Sequence, residues 1–321
     1  MKTTDLTKGA LLAALTALFA LSFIYLPLFS VFGMFFGVCT VVILVTHISS
    51  VKISVTALAV SLILVALLSD FQNMIFSGLL MIVLPGAVLG IGVRNRQSMG
   101  ALMIMGSISY LIAIAGTILF SKFVYGIDFV QQLRETMEQT VPRFISAMES
   151  VPELANSEGA KEALRALPSL VEQTILMIPS ALMIAAAFLS LCSILLTGSV
   201  LRKLQKGQGV ELPTFSQLHL PKSIAYGYFG LMIAGMFFAR YSSLYYMIVN
   251  VTSVLSSLLL IGGISLIKYL INKIQAPKGV SFLILLILLP FVLVLSQPIT
   301  LLGALDAFWD FRAVKLDGKG D

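Results

Sequence analysis

Residues 28–47 read LFSVFGMFFGVCTVVILVTH, twenty positions without an Asp, Glu, Lys or Arg. About 20 apolar residues of helix cross a hydrocarbon core of about 30 Å. Runs of this kind recur along the chain, and the periodicity predicts helices over 9–26, 28–47, 52–69, 73–93, 99–121, 173–200, 222–239 and 243–272. A ninth apolar stretch, 279–313, is interrupted at Pro298. Turn chemistry marks the gaps, at Pro27, Ser69-Asp70, Arg94-Asn95-Arg96 and Gln275-Ala276-Pro277. Hydrophobic residues make up 58% of the 321 and charged residues 11%, with a mean hydropathy of +1.00. A soluble domain of this length cannot hide so much apolar surface.

The expected fold is therefore all-α. It is a polytopic transmembrane bundle of about eight to ten helices carrying an extracytoplasmic amphipathic helical insertion. The chain divides as one membrane domain over 1–321, with five spans in 9–121, the external loop in 122–172 and the remaining spans in 173–313. Lys2 and Lys8 precede the first apolar run in the manner of a signal peptide, but no small-residue cleavage pattern follows, so it reads as a retained helix. Cys39 and Cys192 both lie inside apolar runs, which argues against disulfides and a metal cluster. The net charge of +6 reflects loop basicity rather than nucleic-acid binding.

Basic residues divide unevenly. Lys2, Lys8, Lys52, Arg94, Arg96, Arg202, Lys203, Lys206, Lys222, Lys268, Lys273 and Lys278 fall on one side, and Lys122, Arg134, Arg143, Lys161, Arg165 and Arg240 on the other. Five of the latter six share one long loop, and long translocated loops escape the positive-inside bias. The pattern predicts a multi-pass plasma-membrane protein with a cytoplasmic N-terminus. A hairpin at Ser296-Gln297-Pro298 would bring Arg312 and Lys315 to the same side, with Asp306, Trp309, Asp310 and Arg312 forming an interfacial belt with a local ion pair.

The polar segment from Ser121 to Glu172 carries Val130, Leu133, Met137, Val141, Phe144, Met148 and Val151 at helical spacing, then Leu164, Leu167, Val171 and Ile175 running into the sixth span. Two readings fit: a helical hairpin lying on the surface, or a lid over an outward-opening site.

Enzyme motifs are absent: no P-loop, dinucleotide fingerprint, HExxH or GxSxG is present, and there are only two histidines, His47 and His219. A non-catalytic protein without cofactor is expected. Small-residue stripes are the strongest positional signal: Gly9/Ala13/Ala17 and Ala10/Ala14 on the first helix, Gly33-x-x-x-Gly37 on the second, Gly86-x-x-x-Gly90 on the fourth. Such spacing lets helix backbones approach closely, within the chain or against a partner. Polar residues in spans are costly and therefore candidates for function. Asp70, Gln72 and Asn73, with Arg240, Tyr241, Tyr245, Tyr246 and Asn250, fall near the outer membrane level, where they would line a small-molecule site or anchor the interface.

Two passages carry a resemblance. The segment 201–221, with Leu212-Pro213, Phe215 and Leu220-Pro221, and the closing Leu302-Gly303-Ala304-Leu305-Asp306-Ala307-Phe308-Trp309-Asp310-Phe311-Arg312 resemble the YybS-like family of predicted bacterial membrane proteins. Leu84-Pro85-Gly86-x-x-x-Gly90 followed by Arg94 also fits. Separately, Lys8 to Ala17 is similar to the opening helix of S components of energy-coupling-factor transporters, carried by Ala10, Ala13, Ala14 and Ala17. That resemblance implies an S-component-like core, a membrane coupling subunit docking on the alanine face, and a small solute bound near the outer side. The chain departs from that pattern in its greater length and in lacking a histidine-bearing N-terminus. The leading expectation is a solute-binding, transporter-like subunit in the lipid bilayer, with a coupling subunit or second copy as partner. The competing expectation is a membrane scaffold or regulatory partner with no solute of its own.

The orientation is checked with single cysteines at Ser98 and Ser157 in a Cys39- and Cys192-free background. An impermeant thiol reagent applied to intact cells should label Ser157→Cys and spare Ser98→Cys; the reverse pattern would invert the topology.

Overall fold

The structure, a computed structural model, describes residues 3–48, 50–150, 158–205, 214–238, 242–274 and 295–312. Its helices are α1 (Thr3–Tyr25), α2 (Ser30–His47), α3 (Val51–Leu68), α4 (Phe71–Arg94), α5 (Met99–Tyr125), α6 (Phe129–Glu149), α7 (Glu158–Leu176), α8 (Ile178–Gln205), α9 (Lys222–Gly235), α10 (Ser243–Lys273) and α11 (Ser296–Trp309). Among the described residues there is no strand, and seven helices are long and apolar enough to cross a membrane: α1 to α5, α8 and α10. The chain is a polytopic helical bundle.

Why these segments face lipid is visible on α5. Ile104, Ile108 and Ile112 form an exposed stripe, while Met103, Gly106, Tyr110 and Ala113 are buried on the opposite face. Both faces are apolar, which is stable only where the surroundings are apolar too. The main core joins Val38 and Val42 of α2, Leu89 and Val93 of α4, Leu102 and Tyr110 of α5, and Ala186, Leu191 and Ile194 of α8. Since lipid offers no hydrophobic drive, close approach and hydrogen bonds hold helices together. Tyr110 and Ser193 share a buried hydrogen bond of 2.6 Å, and Thr16 and Thr40 one of 2.9 Å.

The small-residue stripes expected from sequence sit at helix contacts within the chain. A Cβ on Gly33 would lie 2.7 Å from the Phe19 carbonyl oxygen of α1, one on Gly86 2.6 Å from Val41 and one on Gly90 2.7 Å from Val45, both of α2. Gly37 faces Ile82 of α4 at 2.8 Å. On α1 the face splits: Ala13 and Ala17 are buried, while Ala10 and Ala14 are exposed.

Three expectations are corrected. The sixth span does not begin at 173; α7 ends at Leu176, and Pro179 in the first turn of α8 starts the span at Ile178, because proline has no N–H and suits that position. The fifth span extends past 121 to Tyr125, where Gly126 at φ 69° closes the helix. The segment expected as a span over 222–239 is a 14-residue helix, α9, and α11 is also 14 residues. Each is about 21 Å long, short of the hydrocarbon thickness. The expected span over 281–294 lies outside the described residues.

α11 runs parallel to α10 and close against it. Gly303 abuts the Leu259 carbonyl and Gly263, and Arg312 reaches Tyr269. The helix therefore starts beside Ser257, roughly 20 Å along α10 from Ser243, inside the bundle rather than at its edge. Its far end lies with the N-terminal ends of α1 and α5. At the opposite end of the bundle, the expected amphipathic segment forms α6 and α7, joined by an Arg134–Glu172 ion pair. Asp128 caps α6, and its carboxyl is held below the usual carboxylate range by the Lys122 ammonium 2.9 Å away and by the Gln131 and Val130 N–H groups. Val151 lies outside the described residues.

Gly303 and Gly230 provide a matched test of packing. A methyl on Gly303 lands on the Leu259 backbone, whereas one on Gly230 meets nothing within 4 Å. Gly303→Ala should destabilise the detergent-solubilised protein by about 1–3 kcal/mol, and Gly230→Ala should leave its thermal unfolding unchanged.

Candidate functional site

The outer polar residues read from sequence fall into two separate groups. Asp70 sits in the turn between α3 and α4 as an N-cap: its Oδ1 accepts from the Asn73 N–H at 2.6 Å and its Oδ2 from Asn73 Nδ2 at 3.1 Å. Gln72 accepts from the Tyr125 hydroxyl, and Tyr25 donates to the Leu68 carbonyl at 3.1 Å, tying α1, α3, α4 and α5 at this level. Asn250 belongs to the other group. Its Nδ2 donates to the Leu176 and Tyr246 carbonyls, each at 2.9 Å, and its Oδ1 accepts from the Ser180 N–H at 3.0 Å. It thus satisfies backbone groups freed where α7 stops and α8 starts. Arg240 and Tyr241 lie outside the described residues. Asp70, Asn73 and Asn250 hold helix ends and Gln72 links α4 to α5, while Asn250 also lines a cavity of about 700 Å³ with Ser180 and Tyr246.

Tyr245 is placed differently. It borders a cleft of about 850 Å³ between α8, α9 and α10 that reaches the start of α11. The α10 wall presents Tyr245, Thr252, Ser253, Ser256 and Ser257, while α9 contributes Tyr228 and α11 Gln297. Met177, Met232 and Met236 supply adaptable apolar surface. Thr252 Oγ1 is buried with no hydrogen-bond partner, and the Ser257 hydroxyl is turned back to the Ser253 carbonyl at 2.9 Å. Among the described residues the lining contains no carboxylate, amine, imidazole or thiol, and what they offer is hydrogen bonds and dispersion contacts. Sequence reading missed the cleft because the α10 hydroxyls resemble ordinary packing residues until α9 proves too short to cover them.

At the other end of α10 a second polar site assembles. The carboxylate of Asp306 is 2% exposed and takes Arg312 Nε at 3.0 Å and Nη2 at 2.9 Å, both on Oδ2. Arg312 Nη1 donates to the Ser216 carbonyl at 2.6 Å and to Ser265 Oγ at 3.2 Å. The Ser265 hydroxyl in turn faces the Phe215 and Leu218 carbonyls at 2.7 and 3.1 Å. Tyr269 donates to the Arg312 carbonyl at 3.3 Å, and its ring lies under the guanidinium. The chain doubles back to make this pair through Asp310, whose φ of 46° ends α11 in the left-handed region. His219 Nδ1 lies 3.8 Å from Asp306 Oδ2 and 3.9 Å from Asp310 Oδ1. The expected ion pair is present, but the belt is corrected: Asp306 and Arg312 are buried against α10 and the 214–219 loop, whereas Trp309, 64% exposed, and half-exposed Asp310 sit at the surface. Buried carbonyls of that loop need donors, and Arg312 and Ser265 supply them.

Asp70 and Asp306 should therefore respond differently to substitution. Asp70→Asn keeps a cap and should leave thermal stability unchanged, while Asp70→Ala should cost about 1 kcal/mol. Asp306→Ala leaves Arg312 buried without its counter-ion, a loss of about 3–5 kcal/mol. Denaturation of the three purified variants checks the order.

The comparisons agree with the architecture. The chain is 25% identical over 316 residues to "Uncharacterized protein YybS" of Bacillus subtilis (strain 168), covering 97% of this chain and 98% of that protein. No solved structure matches. Residues 14–307 match the family described as "Predicted membrane protein (DUF2232)". The 214–221 loop and the closing motif, two of the passages that carried the resemblance in sequence, meet at Asp306 and Arg312 in a single site. With seven apolar spans and a match over most of its length, the chain is an integral membrane protein of the DUF2232 family.

Proposed function

We propose that this protein is a non-catalytic, transporter-like membrane subunit that binds a small solute from the outer side, in the cleft between α8, α9 and α10. The observation that carries the reading is the cleft itself. Its volume of about 850 Å³ lies within the range of small-molecule sites, about 300–1,000 Å³, which are mostly apolar with a few placed polar groups. The division of basic residues supports a cytoplasmic N-terminus in a bacterial cell, with the Tyr245 end of the cleft toward the outer side. A lining uncharged among the described residues, with a buried, unpartnered Thr252 hydroxyl, suits a neutral amphipathic solute bearing several hydrogen-bonding groups.

Partners follow from what remains uncovered. Ala10 and Ala14 are exposed on α1, the face that a coupling subunit or a second copy would use in an S-component-like arrangement. Ala13 and Ala17 are already packed within the chain. The scaffold reading draws support from Asp70, whose carboxylate caps the start of α4.

Native mass spectrometry of the purified protein, released from the bilayer without denaturation, tests the proposal. The wild type should carry a small-molecule adduct that Ser256→Trp, which fills the cleft, removes. Ala10→Leu, far from the cleft, should retain it. A wild type free of any adduct that is also unchanged in thermal stability by Ser256→Trp would favour the scaffold.

A further inference from the structure

Opposite the cleft, His219, Asp306 and Asp310 bring one imidazole nitrogen and two carboxylate oxygens within 4.8 Å of one another. They come from two parts of the chain: Asp306 and Asp310 stand four apart on the last turn of α11 and its cap, and His219 arrives on the loop before α9. We propose that these three residues form a binding site for a divalent first-row cation of the zinc or manganese type.

A second, independent observation points to the same ligand. Asp306 is 2% exposed, and its Oδ1 is buried without any hydrogen-bond partner. Arg312 engages the other oxygen, Oδ2, which is also the oxygen 3.8 Å from His219 Nδ1. A buried carboxylate oxygen without a donor calls for an ion or an ordered water. Asp306 pairs with Arg312, while Asp310 shares the open pocket with His219 and Lys273.

The donor set decides the class. Imidazole suits zinc and its neighbours, carboxylates suit magnesium, calcium and manganese, and the combination favours zinc or manganese. Bonds of 2.0–2.2 Å put tetrahedral donors about 3.3 Å apart, so the 3.8 and 3.9 Å separations must close by about half an ångström. The movement falls on His219, at the edge of an open pocket of about 720 Å³ where its side chain is 36% exposed, and on half-exposed Asp310. Three protein donors leave the fourth position to water from that pocket. The cation would pin the 214–219 loop to the end of α11, adding a bond where Arg312 and Ser265 already join them.

The test uses the full-length, tag-free protein in lipid nanodiscs, titrated with Zn²⁺ by calorimetry and with Co²⁺ by absorption. One equivalent should bind, raising the unfolding temperature, and the Co²⁺ spectrum should show d–d bands without a thiolate charge-transfer band. His219→Gln and Asp310→Asn, both at the pocket edge, should each weaken binding at least tenfold while unfolding like the metal-free wild type. His47→Gln should change nothing. Absence of saturable binding, binding that survives both site variants, dependence on His47, or a thiolate band from Cys39 or Cys192 would each overturn the site.

Discussion

Inside a bilayer there is no water to receive a stray N–H or C=O, so every backbone polar group at membrane depth must find its partner in the protein. In α1 to α5, α8 and α10 the helical ladder meets that demand, and the side-chain hydroxyls follow the same rule. Thr16 donates to the Leu12 carbonyl, Thr46 to Val42, Ser107 to Met103 and Thr117 to Ala113, each one turn back along its own helix. With polar groups satisfied locally, helix association is left to close approach. The glycines on α2, α4, α10 and α11 are where backbones or bulky side chains come nearest.

The same constraint explains which polar residues are structural. Wherever a helix stops within the bundle, some side chain takes over the freed groups: Asn250 at the α7–α8 break, Asp70 at the start of α4, Arg312 and Ser265 around the 214–219 loop. Thr252 breaks the pattern because its hydroxyl is buried and unanswered, and it faces open volume. Asp306 breaks it with a single oxygen, as do Thr197 Oγ1 on α8 and Arg312 Nη2. Thr252 and Asp306 border the two sites.

Both sites share α10. Its N-terminal half presents Thr252 and Ser256 to the cleft, and its C-terminal half presents Ser265 and Tyr269 to the closing motif. α11 also touches both, with Gln297 at one end and Asp306 near the other. Packed closely by Gly303 against Gly263, it runs between the cleft and the ionic cluster.

Hydropathy and period alone determined the membrane class, the places where α1 to α5, α8 and α10 lie, and the amphipathic character of α6 and α7, because each of these depends on residues near one another in sequence. The Gly33/Gly37 and Gly86/Gly90 stripes were likewise legible as contact faces, though not their partners. The Asp306–Arg312 pair was visible as a motif, but its burial was not, since that comes from a loop some ninety residues earlier. The cleft was not legible at all. It exists because α9 and α11 are too short to fill the space beside α10, and helix ends in an apolar run carry weak local signals. His219 joins Asp306 and Asp310 only through tertiary packing, because nothing in the spacing of three residues so far apart records the fold that brings them within 4.8 Å.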